Sequence, residues 1–176
     1  MGYTTYFDGK LSIDPPLTKE QVNYINKFSD TRRMQRDPAK LANLPDPIRE
    51  AVDLPLGVNG GYYVGSTCDF LSGQDRDEVI QYNSPPSGQP GLWCQWVVSD
   101  DGSTLGWDGE EKFYEYGNWL RYLIEHFFSK WGRTLEGEIS WQGEESDDRG
   151  VIYVHRDGYV EEVFDNLTNP GPSWGK

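Results

Sequence analysis

Between Glu110 and Gly132 the chain reads EEKFYEYGNWLRYLIEHFFSKWG. Phe113, Tyr116, Leu120, Leu123, Ile124, Phe127 and Trp131 recur there at i, i+3, i+4, i+7 spacing. A stripe of that kind must be buried against another layer. The spacing predicts one long helix from Gly109 or Glu110 to Lys130, stopped by Gly132. Glu110 and Glu111 fall in its first turn, where the helix dipole favours acids. Tyr114, Trp119 and Tyr122 lie beyond the stripe, so the helix is packed on two sides or shows rings to a partner.

The layer it packs against is also legible. LWCQWVV (92–98) reads as a strand and DDG as a turn. If Asp101-Gly102 are the two loop residues of a type I′ hairpin, Val98 faces Leu105 and Trp96 faces Trp107. Alternation then puts Leu92, Cys94, Trp96 and Val98 on one side. TLEGEISWQ (134–142) turns Leu135, Ile139 and Trp141 to one face and Glu136, Glu138 and Ser140 to the other. VIYVHRDGYVEEV is a second hairpin about Asp157-Gly158. Upstream, YTTYFDGKLSI (3–13) reads as a strand or short hairpin with a turn or bulge at Asp8-Gly9. Thr18 and Gln21 form a capping box for a first helix ending near Ser29.

Residues 31–91 give a weak signal: RRMQRD is a small basic knot, LPDPIREAVDLP permits a short helix, and GVNGGYYVGS and NSPPSGQPG are loops. A stretch of this length and irregularity is usually functional or partly mobile. The expected architecture is a single α+β domain over residues 1–165, with 31–91 as a long irregular insertion and 166–176 as a loose tail. Its sheet is antiparallel with two main helices on one face. The element order β-α-β-β-α-β matches a ferredoxin-like (split β-α-β) arrangement with an added C-terminal hairpin.

The formal charge is -13, and residues 92–176 carry seventeen acidic against seven basic groups. Phosphate contacts need Lys and Arg, so direct nucleic-acid and anionic-membrane binding are disfavoured. No stretch approaches the roughly 18 apolar residues of a membrane span, and MGYTTYFDGK has no apolar signal region. Two cysteines, Cys68 and Cys94, make no disulfide framework. A cytoplasmic, reduced protein is expected.

Catalytic signatures fail one by one. GGYYVGST (60–67) has the glycine gap of a phosphate loop but lacks its lysine. GPSWG (171–175) matches a nucleophile elbow by letter, with a proline inside it and no helix to follow. An EF-hand loop begun at Asp101 places Gly106 well, but Lys112 falls where the bidentate Glu belongs. His126 and His155 have no Cys or His at ligand spacing. A strand setting makes Cys94 a small buried hydrophobe with a raised pKa. No catalytic residue, metal or cofactor is expected.

What remains is recognition chemistry. Trp107, Asp108, Glu110, Glu111, Tyr114 and Trp119 combine aromatic rings with acids, as binding patches do. An alternative is a small-ligand enzyme or sensor whose pocket, between the sheet and residues 57–91, is lined by Tyr62, Tyr63, Trp93 and Trp107.

GQPGLWCQW, WDGEEKFYEY, NWLRYLIEHFF and WGRTLEGEISWQGEESDDRG, with the opening MGYTTYF…SIDPPLT…FSDTRRMQRD, resemble a family of short acidic uncharacterised proteins of bacteria and their phages. The resemblance spans most of the chain. Members often carry a second glycine where this chain has Glu110. The resemblance brings no site residues. It implies a context, phage or bacterial accessory proteins that bind host enzymes. Together these readings lead to a non-enzymatic protein-binding module that inhibits or modulates a host defence or nucleic-acid-handling protein, with a basic surface on the partner.

Overall fold

A computed structural model of the chain describes residues 3–65 and 76–164. The N-terminal part contains β1 (Tyr6–Asp8), β2 (Leu11–Asp14) and helix α1 (Lys19–Ser29). The middle holds β3 (Gln35–Arg36), α2 (Pro38–Leu41), α3 (Pro47–Glu50) and β4 (Val79–Gln81). Then come β5 (Trp96–Val98), β6 (Thr104–Trp107), α4 (Tyr116–Leu123), a π-helical turn (Ile124–Phe128), β7 (Thr134–Gln142), β8 (Arg149–Val154) and β9 (Val160–Phe164). The fold is mixed α+β.

The main sheet runs β5-β6-β2-β7-β8-β9, with β1 also paired to β7. Every pairing among the described residues is antiparallel. β6 lies between β2 and β5 and is antiparallel to both, so β2 and β5, which the chain connects through α1, run parallel on either side of it.

Alternation buries one face: Leu11, Ile13, Leu135, Ile139, Ile152, Val154 and Val160 join a single core with Val22, Ile25 and Phe28 of α1 and Leu120, Leu123 and Phe127 of the second helical stretch. The other face is polar, with Ser12, Glu136 and Glu138 exposed. There Arg156 bridges Asp14 (2.7 Å) and Glu136 (3.4 Å).

Local signals explain most boundaries. The Thr18–Gln21 capping box forms in both directions, and α1 ends at Ser29. β1 and β2 are one strand line interrupted at Gly9, since Asp8↔Ser140 and Leu11↔Gly137 keep the same register on β7. No hairpin forms there. Trp96↔Trp107 and Val98↔Leu105 pair as alternation requires. The turn between them is not type I′, which needs positive φ at both central residues. Gly102 alone has it (φ 75), and Ser99 N donates to Thr104 O at 2.9 Å, closing a four-residue loop. The register survives because that loop is centred on the same two residues. Asp101 Oδ1 accepts from Ser99 and Ser103, holding its carboxyl down to about 2.

The long helix starts later than its stripe suggests. Lys112 and Glu115 both have positive φ (60 and 59), so residues 108–115 are irregular and α4 begins at Tyr116. Phe113 still reaches the core. The helix then widens into the π turn, where Ser129 N donates to Ile124 O at 2.9 Å.

Buried arginines order the middle segment. Arg33 donates to the carbonyls of Gly61 (3.1 Å) and Tyr63 (2.8 Å), and its guanidinium lies 4.2 Å over Phe28. Arg36 lies over Tyr63. The basic knot is thus a post around which residues 57–65 wrap. Cys68, the end of the glycine-rich stretch and the tail from 165 lie outside the described residues.

Candidate functional site: a cleft beside the outer strand

The outer edge of β5 is closed by side chains of α1. Asn26 makes two bonds to Val98: its Oδ1 accepts from the backbone N–H (2.8 Å) and its Nδ2 donates to the carbonyl (3.1 Å). Ser29 Oγ donates to Trp96 O at 2.6 Å. Side chains thereby occupy the edge that another strand could otherwise use. With Trp96 and Val98 turned into the core, alternation points Trp93, Gln95 and Val97 the other way.

Those three residues form the floor of an open cleft of about 850 Å³. Asn23, Asn26 and Lys27 of α1, with Asp30 capping its end, make one wall, Asp108, Glu110 and Glu111 the other, and Ile48 of α3 closes part of the rim. Gln95, itself buried, fastens the acidic wall to the strand. Its Nε2 donates to Glu111 O (3.1 Å), its carbonyl accepts from Asp108 N (3.0 Å), and its Oε1 accepts from Trp107 Nε1 (3.3 Å). Asp108 Oδ1 in turn accepts from Glu110 N at 2.8 Å.

The lining carries four carboxylates, Asp30, Asp108, Glu110 and Glu111, against one base, Lys27. Asp30, Asp108 and Glu110 form no ion pair among the described residues, while Glu111 meets Lys112. Asp108 is exposed by surface area, yet partial burial of its carboxyl, followed by the like charge of Glu110, pushes its pKa up. Both causes disfavour the charged form of the carboxyl.

The expected site residues separate cleanly. Asp108, Glu110, Glu111 and Trp93 share the cleft, although Trp93 belonged to the small-ligand reading. Trp107 supports the floor through Gln95, but its ring packs on Tyr6 and Phe7. Tyr114 is exposed and does not line the cleft. Trp119 is a correction: it is fully buried against Phe28 and Tyr122 and offers nothing to a partner. The reason is that α4 is covered on two sides, by α1 and by the middle segment. Tyr62 bonds His126 Nδ1 (2.7 Å) and packs on Phe127. Tyr63 is buried beneath Arg36. Neither tyrosine lines the cleft, so the four-residue pocket expected from sequence is not assembled.

Asn26, Asp30 and Gln95 are the site residues that sequence reading missed. Only Gln95 carried a signal: strand alternation puts it beside Trp93.

Among the described residues no group of three or more His, Cys, Asp or Glu could hold a metal ion, and no helix is long and apolar enough to cross a membrane. Cys94 is fully buried, and desolvation pushes its thiol up to about 12. In a Cys68→Ser variant, a thiol reagent at pH 8 should label Cys94 on the order of 100-fold slower in the native protein than in denaturant. Comparable rates would contradict the buried assignment. Comparison of the chain with protein-family models, curated proteins and solved structures gives no match.

Proposed function

We propose that the chain is a non-enzymatic protein-binding module that takes a basic segment of a partner protein into the cleft between α1 and the Asp108–Glu111 turn. The observation that carries this is the convergence of an exposed tryptophan and four carboxylates, those of Asp30, Asp108, Glu110 and Glu111, on one groove. Acidic charge would speed encounter and the ring would hold the complex. In keeping with the family resemblance, the module acts in the cytoplasm as a phage or bacterial accessory protein, inhibiting or modulating a host defence or nucleic-acid-handling protein whose own face is basic.

The test is a triple variant, Asp108→Asn, Glu110→Gln and Glu111→Gln, compared with the native chain in capture from host lysate at low and high salt. A captured protein should bind the variant about 10–100-fold more weakly at low salt, with much less salt dependence. Unchanged binding would sink the proposal. A second reading, a sensor for a small cationic ligand, draws on the cleft volume, which falls within the usual 300–1,000 Å³ of ligand sites. Saturable binding of a small amine, with no captured protein, would favour it.

A further inference from the structure

Trp93 differs from the other described tryptophans. Trp96, Trp107, Trp119, Trp131 and Trp141 each pack against at least one aromatic ring. Trp93 has no ring partner and no hydrogen bond among the described residues, and 37% of it is exposed. It sits on the cleft floor, next along that face to Gln95, which fixes the acidic wall. The cleft is partly apolar, with Val97 on its floor and Ile48 on its rim. An acidic wall alone would suit any cation. An unpaired indole at its foot asks for a cation with a flat face.

We infer that the cleft is an arginine-reading site: a guanidinium of the partner stacks on Trp93 and pairs with the carboxylates of Asp108 and Glu110. This rests on the protein-binding reading above and specifies its partner. Arginine fits better than lysine on three counts. Its planar head stacks on an indole, its fork of donors matches paired carboxylates, and it loses its hydration shell more readily. A lysine ammonium, a compact and strongly hydrated point charge, would satisfy the acids but gain little from the ring. The occupant is a protein segment rather than a free metal ion, because the floor offers apolar surface and a ring, and among the described residues no group of three or more Asp, Glu, His or Cys could hold a metal. Asn26 is already committed to Val98 and Gln95 to Glu111, so neither competes for the guest.

The experiment uses three capped tripeptides, acetyl-Ala-X-Ala-amide with X as arginine, lysine or citrulline, titrated into the full-length protein. The readout is the Trp93 indole N–H resonance, assigned by its loss in Trp93→Phe. The arginine peptide should shift that resonance saturably, the lysine peptide should bind at least about 5-fold more weakly, and the uncharged citrulline peptide should leave it unmoved. Trp93→Ala, followed through the Gln95 and Asp108 amides, should remove the preference for arginine over lysine. Equal arginine and lysine affinities that fall together in the triple acid variant and ignore Trp93→Ala would overturn the arginine inference while leaving the acidic docking site standing. No shift in any cleft resonance with either cationic peptide would overturn both.

Discussion

Replacing Trp96 by alanine lowers the unfolding free energy by about 3–5 kcal/mol, the range for truncating a large buried ring. Trp96 is fully buried where the sheet meets the N-terminal strand and the residues leading into α4. Its ring lies 5.4 Å from Phe7 and 5.1 Å from Phe113 in edge-on contacts, and its indole Nε1 donates to Tyr116 O at 3.0 Å. Truncation therefore opens a cavity, removes two aromatic contacts and strips a carbonyl of its donor at the start of α4. Trp96→Phe separates the parts. It keeps most of the burial and loses the hydrogen bond, so its cost should be about 1–2 kcal/mol beyond the small volume change. Urea unfolding followed by circular dichroism measures both. A Trp96→Ala cost below about 1.5 kcal/mol would mean the ring is not the keystone its packing implies.

Asn26→Ala should cost about 2–3 kcal/mol despite deleting a small polar group, because two bonds are lost and a strand edge is left open. The amide of Asn26 occupies both the N–H and the C=O of Val98, acting as one residue of a missing strand. Without it, β5 presents unpaired backbone groups beside the apolar part of the cleft, and that geometry invites pairing between molecules. Asn26→Ala should thus show raised light scattering as well as a lower denaturation midpoint. Asn26→Asp retains the acceptor for Val98 N–H but not the donor, and should fall between the two. A cost under about 0.5 kcal/mol with no self-association would show that α1 does not guard this edge.

What could be read from the letters, and what could not, follows from where the physics is local. The Trp96–Trp107 register, the C-terminal hairpin about Asp157-Gly158 and the Thr18 cap depend on neighbours in sequence, and alternation or capping chemistry exposes them. The start of α4 does not. Lys112 and Glu115 adopt left-handed backbone without glycine or proline to mark it, so the apolar stripe appeared to continue back to Glu110. Arg33 and Arg36 misled for the opposite reason. Charged residues usually mean solvent, yet here both are buried, Arg33 binding carbonyls 28 and 30 residues away and Arg36 lying over Tyr63. The acids and Trp93 of the cleft were legible as binding chemistry, but not as one site. Their meeting depends on Asn26 and Gln95, polar residues whose role appears only once α1 is laid along β5. Trp119 looked like a surface ring because the pattern cannot tell a helix covered on both sides from one facing a partner.

The most direct test of the account is hydrogen exchange on the native chain with and without its captured partner. The cleft account predicts that added protection concentrates at residues 93–97, at Asp108–Glu111 and along the Asn23–Asp30 side of α1, with little change at β9 or around Tyr62 and Tyr63. Protection centred on β9 or on the Tyr62–His126 side, with the cleft unchanged, would place recognition elsewhere and contradict the account.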